Sequence, residues 1–292
     1  MPLASSSRVF ARDNATYVAE ESEYGYVPWE SAAIVFIVLF GISTFVHIVQ
    51  SLRYRLWWLL PTIVLSGVLE IVGWSARLYA HWYFTEENPF IIQIVTTIVA
   101  PIPLTAANFI IIEKIIRLLG PRYSRLSPKA YLRFFCSLDV IAFIIQAAGG
   151  AIAAGADTTS VSKLGSNIML GGICLQLAFM IVFTLLVSEV FYRYFKDSPV
   201  RTPSADEKLG ADAYALSEHP RTLLMIYAVA FSTFVLLIRA VYRTCELADG
   251  WHGVIILTQA YFVAFDACMV VLAIYALNFF HPGFLVFGHE LL

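Results

Sequence analysis

Apolar residues in this chain come in long runs separated by short polar stretches. Seven runs reach the roughly 20 mostly apolar residues that a bilayer-crossing helix needs. They cover Glu30–Gln50, Trp57–Tyr79, Phe90–Leu118, Phe134–Ala156, Asn167–Tyr192, Thr222–Glu246 and Val254–Phe280. Hydrocarbon offers backbone amides no water, so each span must satisfy them internally as a helix. The short alternating segments of a transmembrane barrel are absent. The pattern predicts an all-α polytopic membrane domain over residues 30–280, with an N-terminal tail at 1–29 and a C-terminal tail at 281–292. One connection is long. Arg193–Arg221 is polar, carries Pro199, Pro203 and Pro220, and reads as a solvated loop. No internal repeat stands out, which argues against a transporter built from two inverted halves.

Composition narrows the class further. The chain is 59% hydrophobic and only 14% charged, with a net charge of −2. So few charges cannot coat a soluble fold of this size, and no basic surface exists for a nucleic-acid partner. Lys and Arg set the orientation. The connections after spans one, three and five hold Arg53, Arg55, Arg122, Arg125, Lys129, Arg133, Arg193, Lys196, Arg201, Lys208 and Arg221. The alternate connections hold Lys163 alone. The expected topology therefore has the N-terminus outside and the C-terminus, with the 193–221 loop, in the cytoplasm. The N-terminal tail is too polar for a secretory signal, so span one would act as its own insertion signal. Asn14-Ala15-Thr16 is a glycosylation sequon on the outer side of that topology. Cys136, Cys174, Cys245 and Cys268 all fall in spans without metal-like spacing. They read as apolar packing, with a Cys174–Cys245 bridge near the outer face left open.

The informative residues are the ionisable ones inside spans, which are costly in lipid and point to functional sites. Glu70 and Arg77 lie two turns apart on one face of span two. Arg239, Arg243 and Glu246 share one face of span six, and Asp266 falls near the middle of span seven, with Gln259 in its outer half. Three acids and three bases thus share a depth range, and pairing is expected, because each unpaired charge costs several kcal/mol. Gln146 in span four and Gln176 in span five add neutral hydrogen-bonding groups at a similar depth. Two compatible readings stand: an ion-pair network that fixes helix register, and a polar cavity that binds an amphipathic head group. Ala100-Pro101-Ile102-Pro103 should kink span three and free a carbonyl. His47 reads as packing. No catalytic motif, P-loop, dinucleotide turn or metal set occurs, so neither catalysis nor a cofactor is expected.

These stretches carry a resemblance. Glu70-Ile-Val-Gly-Trp-Ser-Ala-Arg77, Ala100-Pro101, Asp139 through Gln146 to Gly149-Gly150, Gly172 to Gln176, Arg239-Ala-Val-Tyr-Arg-Thr-Cys-Glu246, Tyr261, Asp266 and His281-Pro282-Gly283 occur in order along the spans. The chain resembles the fungal RTA-like, or lipid-translocating exporter, family of seven-span proteins. That resemblance implies plasma-membrane export of amphipathic compounds such as sphingoid bases, aminosterols or porphyrins, and resistance to them. The partners would be membrane lipids and an amphipathic small molecule. Glu70, Arg77, Gln146, Gln176, Arg239, Arg243, Glu246, Gln259 and Asp266 are the candidate binding or gating residues. The family usually has Glu where this chain has Gln259, and a hydroxylated aromatic where it has Phe109. A seven-span lipid sensor is the alternative reading; a membrane enzyme ranks last.

Overall fold

The computed structural model describes residues 24–83, 85–156, 158–200, 220–250 and 253–286. Asn14 and residues 201–219 of the long connection lie outside them. Among the described residues the structure is helical, without a strand. Seven helices are long and apolar enough to cross a membrane: Glu30–Tyr54, Trp57–Trp82, Glu87–Leu119, Pro128–Ala154, Thr159–Phe195, Pro220–Asp249 and Gln259–Leu285. The chain is a multi-pass membrane protein with the seven spans expected of it.

Boundaries move where caps decide them. Span four starts at Pro128 because Ser127 caps it, its hydroxyl accepting from Ala130 N, with proline at the first helical position. Span five starts at Thr159 behind the cap Thr158. Its first turns carry Ser162, Lys163 and Ser166, whose polarity hides them from a hydropathy pattern. Val254–Leu257 forms a separate short turn, and extended backbone at Thr258 delays span seven to Gln259. That span also runs on past Phe280. His281 Nδ1 accepts from Gly283 N at 3.1 Å, and Pro282, Gly283 and Leu285 are buried against the bundle. All four cysteines are free, so Cys174 and Cys245 form no bridge.

Three spans are irregular, and the irregularities surround the charged residues. Span two opens with a 3₁₀ turn, Trp57–Leu59, and a π-turn, Leu60–Val64, around Pro61. Span three breaks at Ala100, where Glu87–Val99 gives way to Pro101–Leu119. Span seven contains a π-turn at Val263–Ala267 that includes Asp266. Such a turn inserts an extra residue per turn and re-aims side chains, which is why π-bulges concentrate at functional sites.

The bundle is arranged for lipid: apolar side chains such as Phe45, Leu185 and Phe279 face outward, while Glu70, Arg77, Asp139 and Asp266 are buried. Spans four and five pack backbone to backbone. A Cβ at Gly149 would lie 2.4 Å from Met169 N, and one at Gly165 would lie 2.4 Å from Ala153 N. One at Gly172 would lie 2.7 Å from Gln146 Cγ. Small residues allow this approach, since tight van der Waals contact replaces the hydrophobic effect inside a bilayer. Leucine at Gly149 or Gly165 is therefore expected to separate the two helices and cost about 3 kcal/mol or more. Gly171→Ala, with open space around its Cβ, should be close to neutral. Thermal unfolding in detergent micelles reads the difference; equal midpoints for Gly165→Leu and Gly171→Ala would contradict the packing.

Candidate functional site

Spans three, six and seven meet at a buried ion-pair network. Arg239, Arg243 and Glu246 recur every three or four residues on span six, which puts them on one face. Asp266, re-aimed by its π-turn, stands opposite. Its Oδ1 lies 2.8 Å from both Arg239 Nε and Arg243 Nε. Arg243 Nη1 donates to Glu246 Oε2 at 2.7 Å, and Tyr242 donates its hydroxyl to Glu246 Oε1 at 2.8 Å. Two cations and two carboxylates thus neutralise one another where an uncompensated charge would be strongly destabilising.

The break in span three supplies the remaining acceptor. Thr97 C=O would normally take the N–H of residue 101, but proline there has none. Arg239 Nη2 donates to that carbonyl at 2.6 Å, and Arg243 Nη2 donates to Thr97 Oγ1 at 3.1 Å. The carbonyl expected to be freed by Pro101 is thus an arginine ligand.

Arg77 lies apart from the network. Its Nη1 donates to Gln93 Oε1 and its Nη2 to Tyr26 OH, each at 2.9 Å. Its guanidinium carbon lies 5.1 Å from the Tyr24 ring centre and 4.9 Å from that of Phe262. Phe262 is shared: Arg243 lies 5.3 Å from the same ring, so one aromatic separates two cations and attracts both. Burial pushes the Tyr24 phenol above its usual range, against the pull of Arg77, and keeps that ring neutral. Residues 24–29 continue as a strap across the ends of spans two and seven. Trp29 N donates to Gln259 Oε1 at 3.2 Å, and His81 Nδ1 lies 2.8 Å from Pro28 O.

Glu70 is completely buried, and neither carboxylate oxygen has a hydrogen-bond partner among the described residues. Asp266, Arg239 and Arg243 act on it electrostatically, and the indole of Trp74, one turn along its own helix, is a donor directed at it. Gln146 and Gln176 do meet: Gln146 Nε2 donates to Gln176 Oε1 at 2.9 Å across the close contact of spans four and five.

A cleft of about 440 Å³ opens between spans three, four, five and six. Its polar wall is Thr105, Gln146, Gln176, Arg239 and Arg243, and its apolar wall includes Ile98, Ile173, Met180 and Leu236. A second cleft of about 310 Å³ adjoins it, sharing Ile98, Ile173 and Arg243 and adding Glu246, Ile94, Met169 and Leu247. Both are narrow, with a free core that admits little more than a water molecule. Thr105 also donates to Asp139 Oδ2 at 3.0 Å, tying a further buried acid to the cleft.

Of the six intramembrane charges expected to pair, Arg239, Arg243, Glu246 and Asp266 do so. Glu70 faces the network without a bond to it, and Arg77 takes neutral partners, because two helical turns separate it from Glu70. Gln259 holds the N-terminal strap rather than an arginine. Sequence reasoning missed Tyr26, Gln93, Thr97 and Thr105 as partners. Gln93 and Thr97, four apart on span three, are a visible polar pair; Tyr26 lies before the first span and carries no signal of its own. Among the described residues no group of three His, Cys, Asp or Glu could hold a metal.

Comparison with known proteins places this architecture. The family model described as RTA1 like protein matches residues 63–289. The chain belongs to the RTA1-like family. Among curated relatives, the sphingoid long-chain base transporter RSB1 of Saccharomyces cerevisiae is 28% identical over 91% of this chain and 75% of its own length. The probable lipid transporter atnI of Emericella nidulans is 26% identical over 92% of this chain and 72% of its own. The lipid-translocating exporter-like protein RTA1 of Leptosphaeria maculans is 28% identical over 90% of this chain and 51% of its own. No solved structure matches. As the matched region of this RTA1-like chain begins in span two, it contains every charged residue of the network.

The network has a measurable weight. Asp266→Asn removes the one carboxylate shared by two buried guanidinium groups and is expected to cost about 3–5 kcal/mol of stability. Gln259→Ala, at the strap, should cost less than about 1.5 kcal/mol. Denaturation of the two variants in mixed micelles compares them, and an equal loss would contradict the central place given to Asp266.

Proposed function

We propose that this RTA1-like protein moves amphipathic lipids with a cationic head group across the plasma membrane and catalyses no reaction on them. One observation carries the reading: the paired clefts set one carboxylate, Glu246, and two glutamine amides, Gln146 and Gln176, beside walls of isoleucine, leucine and methionine. A single-chain amphiphile needs both surfaces at once, an anionic or hydrogen-bonding contact for its head and apolar contact for its tail. The relatives named as transporters of sphingoid long-chain bases and of lipids support the same substrate class. Aminosterol-like compounds share the cationic, amphipathic character and fall within the proposal, whereas porphyrin-like compounds, whose polar groups are carboxylates, fall outside it.

The clefts are too narrow for a lipid, so transport requires spans three to six to separate and re-pair. Guanidinium groups that contact both Asp266 and Thr97 suit such a change, because an ion pair can exchange partners between two packed states. The proposed topology has the N-terminus outside, on the strength of the Lys and Arg asymmetry. An epitope at the N-terminus should be reachable on intact cells and one at the C-terminus only after permeabilisation; the reverse result would invert the topology.

Cells expressing Glu246→Gln are expected to lose resistance to toxic sphingoid bases by about tenfold or more, the effect of losing a charged hydrogen bond worth about 1.5–3 kcal/mol. Ile98→Trp, which fills the junction of the two clefts, should do the same without altering a charge. Surface labelling must show both variants at wild-type levels. Full resistance in both would overturn the assignment of the cleft.

A further inference from the structure

The charge count of the network that spans six and seven share with Glu70 is uneven; Asp139, a further buried acid beside the cleft, is held by Thr105 outside it. Arg239 and Arg243 are matched by Asp266 and Glu246, and Glu70 is then one carboxylate too many. It is wholly buried, neither oxygen has a partner in full hydrogen-bond geometry among the described residues, and the Trp74 indole is the donor directed at it. The charged groups facing it are Asp266 from span seven and Arg239 and Arg243 from span six. Residues 31–46 of span one and 88–112 of span three contain no titratable side chain that could compensate it. A bare carboxylate in that position is too costly to keep, so it needs either a proton or a cation that is not there at rest.

The same two arginines line the cleft on one side and face Glu70 on the other. Glu246 lines the second cleft, and both it and Asp266 are paired with guanidinium groups, so a cationic head group that bonds either carboxylate competes with an arginine. The displaced arginine then needs an acid, and Glu70 is the acid within its field. With the head group present there are three cations, and three carboxylates are required.

We propose that Glu70 is the proton-exchanging group of this site: it carries a proton while the cleft is empty and releases it to solvent when an ammonium amphiphile binds. The proposal rests on the reading of the cleft as an amphiphile site and deepens it. One positive charge enters and one leaves, so the buried network stays neutral in both states. The displaced arginine pairs with Glu70, which marks the occupied state by a different set of ion pairs. Outward release of the amphiphile would thereby be coupled to uptake of a proton at the same site.

The test counts protons. Purified full-length protein in lipid nanodiscs, in weak buffer with a pH indicator, is titrated with a radiolabelled sphingoid base at a pH where its amine stays charged. About one proton should be released per base bound by the wild type, as linkage requires when one carboxyl ionises on binding. Glu70→Gln, which lacks the third carboxylate, should bind the base more weakly and release no proton with what it does bind, and Glu70→Asp, which keeps a carboxyl, should restore release. Binding by the wild type without proton release overturns the proposal, as does undiminished release from Glu70→Gln. Should Glu70→Gln fail to fold, Asp139→Asn decides: a proton release that it keeps belongs to Glu70, and one that it loses overturns the proposal. An absence of binding to the wild type would refute the amphiphile reading of the cleft, and this proposal with it.

Discussion

A charge inside a bilayer has to find a partner within the protein, and most of this structure follows from that constraint. Two arginines on span six are matched by a carboxylate on span seven, a carboxylate on their own helix and two oxygens of one threonine on span three. Two of these matches depend on a local departure from ideal helix. Pro101 leaves the Thr97 carbonyl unclaimed, and the π-turn at Val263–Ala267 aims Asp266 inward. The network fixes the rotation of three helices about their axes, a quantity that apolar packing against equally apolar lipid leaves weakly determined.

The network that stabilises the bundle also forms the wall of its cleft. Arg239 and Arg243 serve both, so whatever occupies the cleft competes with the interactions that hold spans three, six and seven together. This is the arrangement a two-state carrier needs, since occupancy can alter which helices are paired only if the ligand has a differential interaction with the two states. Spans four and five are held by a different device. Their glycine contacts leave no slack between the two backbones, so they suit a unit that moves as one body with Gln146 and Gln176 on its face.

Much of this was legible in the sequence because depth in a membrane is one-dimensional. Run length placed the seven spans, and spacings of three and four put Arg239, Arg243 and Glu246 on one face. A freed carbonyl was readable from Ala100-Pro101-Ile102-Pro103, though not which one. What stayed hidden depends on rotation and on tertiary approach. Glu70 and Arg77 share a face of span two, yet two turns of helix send them to different neighbours, Glu70 to the arginines of span six and Arg77 to Gln93, Tyr26 and two aromatic rings. Gln259 matches the depth of the charges but points to the strap at Trp29. Span five ran several residues beyond its apolar stretch because Thr158 supplies a cap that hydropathy does not see.

On the proposed function, this RTA1-like chain itself moves an amphipathic lipid, rather than acting on a separate carrier. Reconstitution into liposomes with a fluorescent sphingoid base in the inner leaflet measures that directly. Appearance of the base in the outer leaflet at a rate that rises with protein content and falls in Glu246→Gln is the expected result. A rate equal to that of protein-free liposomes, from protein that still binds the base, would contradict transport and leave a lipid-binding sensor in its place.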